Sequence, residues 1–280
     1  LVYISTLSYF EPGDRPLEKL SPQARLFFSE QLRAHEIAHQ WWGNLVAVSS
    51  YRDEWLLESL ADYSALLFLE HQKGTRVLEG VLARYRANLL TKQDSGETVE
   101  SAGAIVLADR LRSSKSPLAQ YTITYEKGTW VLHMLRRLMG DQKFLALLGE
   151  LRRRYEYQRL STEQFRQLAA QFLPAVPGDP NLENFFAQWV YSTGIPTLKM
   201  EYKLTGRAPR VRLTGVIRQS EVPEDFSIPV PVEVELSGRK ERIETRVQTG
   251  SGEVTFSLAL EQRPVKVTLD PRDSVLAVKP

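Results

Sequence analysis

Two stretches decide the reading: His35-Glu36-Ile37-Ala38-His39, and Trp55-Leu56-Leu57-Glu58-Ser59-Leu60-Ala61-Asp62-Tyr63, with 18 residues between His39 and Glu58. The chain has only four histidines, and two of them stand at i and i+4 inside a predicted helix. That spacing stacks both imidazoles on one face, one turn apart. Two neutral imidazoles on one face can share a divalent cation, with Zn²⁺ the usual choice. Glu36 is offset by one position, so it lies beside such an ion and suits a base acting on water there. A tetrahedral catalytic site needs a third protein ligand and an open position. Glu58 fits as that ligand, because a short connection can turn its amphipathic helix back against the first. The plain alternative is an ordinary helix carrying two histidines and a solvated glutamate. Chance occurrence of the His-Glu-x-x-His pattern is on the order of 0.5% at this composition, which favours the metal reading. Asp62, four residues after Glu58 and on the same helix face, is a candidate acceptor for the second N–H of His35. A solvated or packing-satisfied carboxylate is the equal alternative there.

Outward from this core, apolar residues recur at helical spacing from about 22 to 193. Ser21-Pro22 reads as an N-cap followed by proline at the first helical position, opening a helix to about Trp42 with Gly43-Asn44 as its stop. Further helices are expected over 53–72, 75–92, 126–139, 141–156, 162–173 and 181–192. Residues 93–124 are polar and poorly periodic, and read as a long functional loop. From about 197 the texture changes to short β-rich runs such as Val230-Pro231-Val232-Glu233-Val234-Glu235-Leu236, separated by turn residues. Six or seven strands in that space suggest an antiparallel sandwich. Gly194-Ile195-Pro196 marks the boundary, giving domains 1–195 and 196–280.

The 280 residues carry a net charge of +2, so there is no large basic field for nucleic acid. Arg152-Arg153-Arg154 is interrupted by Glu150 and Glu156 and reads as a solvated helix face. The absence of cysteine excludes disulfides, thiol catalysis and cysteine-bound zinc. No apolar run approaches the ~20 residues of a membrane span. Leu1-Val2-Tyr3-Ile4-Ser5 lacks the charged start and long apolar core of a signal peptide, and reads as the interior of a longer polypeptide. His71 and His133 have no partner at ligand spacing and are expected to be structural or exposed. Compartment and oligomeric state stay open.

Leu32-Arg33-Ala34-His35-Glu36-Ile37-Ala38-His39-Gln40-Trp41-Trp42-Gly43-Asn44 resembles the active-site helix of the aminopeptidase N family, the gluzincin zinc peptidases of peptidase family M1. The gap to Glu58 matches that family's pattern. Thr124-Tyr125-Glu126-Lys127-Gly128 resembles its Tyr-Glu-Lys-Gly segment, and Trp189-Val190-Tyr191-Ser192-Thr193-Gly194-Ile195-Pro196 its junction into a β-sandwich, with Pro264-Val265-Lys266-Val267-Thr268-Leu269-Asp270-Pro271 similar to a late strand there. The resemblance implies an α+β multidomain architecture: a zincin, thermolysin-like, mainly helical catalytic domain followed by a small antiparallel β-sandwich. It implies one Zn²⁺ on His35, His39 and Glu58, with Glu36 as general base. It also implies Tyr125 as donor to the oxyanion, a kind of contact worth roughly 3–4 kcal/mol of barrier.

The departures are local. Leu57 and Ser59 stand where the family usually has Asn and Gly, and the spacing of Glu58 and Asp62 is closer to the thermolysin branch. The family's amine-binding Gly-x-Met-Glu-Asn segment does not occur, and its place would precede Leu1-Val2-Tyr3-Ile4, itself similar to the strand that follows it. The implied activity is peptide hydrolysis, with removal of N-terminal residues first and endopeptidase action or a non-catalytic binding module as alternatives. A longer polypeptide with an upstream β domain is expected.

Overall fold

The computed structural model describes residues 20–114, 116–173, 178–238, 242–250 and 252–279. The expected strand at Leu1-Val2-Tyr3-Ile4 lies outside them. The chain divides into two compact units, Leu1–Thr193 and Gly194–Pro280.

The first unit is helical. Helix α1 (Pro22–Leu26) starts where Ser21 Oγ accepts the Ala24 N–H at 3.2 Å. It runs through a π turn (Phe27–Gln31) into α2 (Leu32–Ala38). The helix therefore stops short of Trp42. Gly43, at φ +120°, closes a turn there, its N–H bonding to Val46 O at 2.9 Å while the Asn44 N–H bonds to His39 O at 3.1 Å. A 3-10 turn over Tyr51–Asp53 leads into α3 (Glu54–Lys73), which ends at Gly74 with φ +89°. Helix α4 (Thr75–Leu89) follows.

The stretch expected as a loop is partly ordered. It holds 3-10 segments at Glu100–Ala102 and Ile105–Ser113, then α5 (Ala119–Tyr121) and a π turn over Thr122–Lys127 that continues into α6 (Gly128–Met139). The helix expected from 126 thus begins earlier, and Tyr125 sits inside it. Local polarity hid this, because the segment is held by tertiary contacts. Lys127, 0% exposed, donates to Glu100 Oε1 at 2.6 Å and to Ser192 O at 3.1 Å. A buried ammonium is tolerated only when paired in this way.

Helices α7 (Asp141–Tyr155), α8 (Thr162–Ala170) and α9 (Glu183–Trp189) complete the unit, each shorter at its end than periodicity suggested. Strands β1 (Val46–Val48) and β2 (Gln158–Leu160) pair in parallel, an element too short to show in the sequence. Helix α3 packs on α2, α4 and α6. The core gathers Trp55, Leu56, Leu60, Trp130, Phe144, Phe165 and Phe186, all buried. Trp55 satisfies its indole N–H with Thr162 Oγ1 at 3.1 Å, as a buried tryptophan should.

The second unit has six strands among the described residues: β3 (Thr197–Arg207), β4 (Arg210–Ser220), β5 (Pro229–Leu236), β6 (Arg242–Gln248), β7 (Glu253–Leu260) and β8 (Pro264–Leu269). They form two three-stranded antiparallel sheets, ordered β3-β4-β7 and β6-β5-β8. Val211, Leu213 and Leu260 of the first pack with Val234 and Leu236 of the second. Alternation in β4 places Val211, Leu213 and Ile217 inward. Among the described residues no helix is long and apolar enough to cross a membrane.

Candidate metal centre

Helix α2 presents His35 and His39 on one face, and α3 packs against that face so that Glu58 points between them. The two Nε2 atoms lie 3.0 Å apart, and Glu58 Oε2 is 3.5 Å from His35 Nε2 and 3.4 Å from His39 Nε2. A tetrahedron with metal–ligand bonds of about 2.0–2.1 Å has edges of about 3.3–3.4 Å. The observed triangle is close to one face of such a tetrahedron, with the Nε2–Nε2 edge the shortest at 3.0 Å. The donor set, two imidazoles and a carboxylate, is also the chemistry Zn²⁺ takes. These residues fit a zinc ion.

The electrostatics agree with a shared cation. His39 Nδ1 lies 2.8 Å from Trp42 O, so in the neutral ring the proton sits on Nδ1 and Nε2 keeps its lone pair. Burial lowers the His39 pKa, but the Glu58 carboxylate and the Trp42 carbonyl outweigh it and the net shift is upward. Burial pushes the Glu58 carboxyl up, yet the two imidazoles override it and hold it down to about 2. The shifts of His39 and Glu58 thus reflect a carboxylate that stays ionised beside an imidazole ready to carry positive charge.

Around it lies a cavity of about 340 Å³, walled by Phe27, Gln31, Leu32, Tyr121 and Tyr125, with Glu36 and Asp62 also on its surface. Glu36 is half-buried and borders this space next to the histidines. Tyr125, carried by the π turn, lines the cavity beside Glu58 and stacks on His35 with ring centroids 6.0 Å apart. Burial first, then the Glu58 charge, push its phenol pKa well up, so it remains a protonated donor. Such π turns recur at functional sites because the extra residue re-aims a side chain.

Of the two readings open for Asp62, acceptor for His35 or packing-satisfied carboxylate, the structure shows the second. Asp62 Oδ1 lies 3.9 Å from His35 Nδ1, beyond hydrogen-bond reach. The carboxylate instead accepts from Gln31 Nε2 at 2.9 Å, Tyr85 OH at 2.8 Å and Thr129 Oγ1 at 2.9 Å. Three elements supply those donors, which no local pattern announces. Gln31 was missed as a site residue, although its position four before His35 put it on the face that carries both histidines. His133 is buried with Nδ1 3.0 Å from Tyr63 OH, and His71 is exposed. Arg153 and Arg154 both pair with Glu150, at 2.7 and 2.5 Å.

The sequence model of the peptidase family M1 domain matches residues 21–189. The chain belongs to this family. The M1 match runs from the N-cap of α1 to the last residue of α9. Among M1 relatives, aminopeptidase N of Mus musculus is 26% identical over 210 residues, covering 71% of this chain and 21% of the mouse protein. Aminopeptidase M1-D of Oryza sativa is 28% identical over 176 residues, covering 61% of this chain and 18% of its own length. Aminopeptidase N of Lactococcus lactis is 28% identical over 169 residues, covering 60% and 19%. The chain thus spans about a fifth of the length of these relatives. Aminopeptidase A of Legionella pneumophila, solved with aspartic acid, superposes with a TM-score of 0.67 at 18% identity, over 93% of this chain and 28% of that one. That likeness shows a shared fold.

Proposed function

We propose that this M1 chain carries the catalytic centre of a zinc-dependent peptidase that removes N-terminal residues from peptides. The observation that carries the reading is the triangle of His35 Nε2, His39 Nε2 and Glu58 Oε2, with Glu36 and Tyr125 on the same cavity. Zn²⁺ held by these three side chains supplies Lewis acidity, lowering the pKa of water and polarising a peptide carbonyl. Glu36 accepts the proton of the attacking water and delivers it to the leaving amine. Tyr125 donates its phenol hydrogen bond to the oxygen on which negative charge develops, and its raised pKa keeps that proton in place. Trp42 O orients His39 by accepting the hydrogen bond of its Nδ1–H. Asp62, through Gln31, Tyr85 and Thr129, ties the helices beneath the site together.

In this reading 1–195 is a thermolysin-like zincin domain and 196–280 a β-sandwich domain. The paired sheets with a common apolar core support the second assignment. The names of the aminopeptidase relatives support exopeptidase action.

The test compares unblocked with N-acetylated peptides as substrates, alongside zinc analysis. Zinc with cleavage of free-amine peptides is the expected result. Preference for blocked peptides would make the protein an endopeptidase, and zinc without cleavage a binding module.

A further inference from the structure

Glu58 and Ser59 are consecutive on α3, and Thr124 and Tyr125 are consecutive on the π turn. Glu58 and Tyr125 line the same cavity, and beside them the Ser59 hydroxyl donates to the Thr124 carbonyl at 3.0 Å. Ser59 is 0% exposed, so its hydroxyl has no water to turn to. The two segments also approach closely at this residue. A Cβ built on Gly128 would overlap Ser59 Oγ and lie 3.0 Å from Ser59 Cβ. The absence of a side chain at 128 is what lets the start of α6 come down on Ser59.

We propose that Ser59 is a positioning residue for hydrolysis: its bond to the Thr124 carbonyl fixes the π turn at the depth that aims Tyr125 into the cavity beside Glu58. The claim rests on the peptidase reading above. The backbone of a π turn is less firmly held than that of an α-helix. A hydrogen bond from the buried Ser59 side chain to the carbonyl one residue before Tyr125 restrains the turn where its aim matters. Misplacement of an oxyanion donor weakens the transition state and leaves substrate binding alone, so the effect belongs in kcat.

The test uses the zinc-loaded protein and Ser59→Ala, which removes the donor and keeps the Cβ. Expected are a fall in kcat of about tenfold, the scale of one lost hydrogen bond, and KM within about twofold. Zinc content should be unchanged. Amide hydrogen exchange should speed up about tenfold over 122–128 and stay as it was over 131–138. Ser59→Cys, which keeps a weak donor, should recover part of kcat. Unchanged exchange over 122–128 overturns the proposal, as does unchanged kcat despite faster exchange. Zinc loss together with the fall in kcat also overturns it, since Ser59 would then act on the metal ligand. A zinc-loaded wild type that cleaves neither free nor blocked peptides refutes the peptidase reading and the catalytic part of this claim with it. The exchange comparison would still decide whether the bond holds the turn.

Discussion

Replacing Gly128 with alanine tests the packing that joins α3 to the turn carrying Tyr125. The added methyl overlaps Ser59 Oγ, so that hydroxyl must rotate away and give up its bond to Thr124 O. Leaving a buried hydroxyl and carbonyl without each other costs about 1–3 kcal/mol. The methyl also sits 3.0 Å from Ser59 Cβ and 3.3 Å from Trp55 Cε3. Overpacking of that kind adds about 1–3 kcal/mol. Alanine returns roughly 1 kcal/mol through helix propensity. The net expectation is a loss of about 3 kcal/mol, or a drop of roughly 6–12 °C in Tm for a unit of this size. Urea unfolding followed by circular dichroism would measure it, with the slope against denaturant unchanged. The double variant Ser59→Gly with Gly128→Ala removes both the overlapping oxygen and the crowded Cβ, and should be more stable than the sum of the single variants by at least ~1 kcal/mol. If Gly128→Ala is neutral or stabilising, or if the two substitutions add, the close approach described here is wrong.

Other perturbations separate the roles of the site residues. Glu36→Gln should retain zinc and lower kcat by at least ~10²–10⁴-fold, checked by elemental analysis beside steady-state kinetics. Tyr125→Phe should lower kcat by about 10²–10³-fold with little change in KM, as removal of an oxyanion donor does elsewhere. Glu126, 3% exposed and taking a bond from Asn88 at 2.8 Å, has its carboxyl pushed by burial up to about 8, against an ordinary 4.5. The folded state therefore holds this proton more tightly than the unfolded chain, so the stabilisation is complete below about 4.5 and is lost as pH rises through about 8. Glu126→Gln should gain on wild type by up to about 5 kcal/mol between about pH 5 and about pH 9 in denaturant melts, and parallel pH curves would refute it.

The parts of the site legible in the sequence are those set by helical spacing. His35 and His39 at i and i+4, with Glu58 on the next helix, needed only the 3.6-residue period and a short connection, and the structure brings the three together. The change from helical to alternating texture near 195 was legible for the same reason, since burial on one face writes its period into the chain. What failed to show depends on contacts between distant segments. The π turn under Tyr125 has no compositional signature, and its stretch is polar because Lys127 and Glu100 satisfy each other inside the unit. The partners of Asp62 come from the first π turn, α4 and α6, so the sequence offered only its place four residues after Glu58. Strands β1 and β2 are three residues each, too short for alternation to register.

The central claim is that two imidazoles and a carboxylate hold one zinc ion. X-ray absorption at the zinc edge of the purified protein tests it most directly. The account predicts one zinc per chain, with two nitrogen scatterers at about 2.0–2.1 Å and carboxylate oxygen at about 2.0–2.2 Å. A protein that takes up no zinc, or a zinc shell lacking two histidine nitrogens, would contradict it.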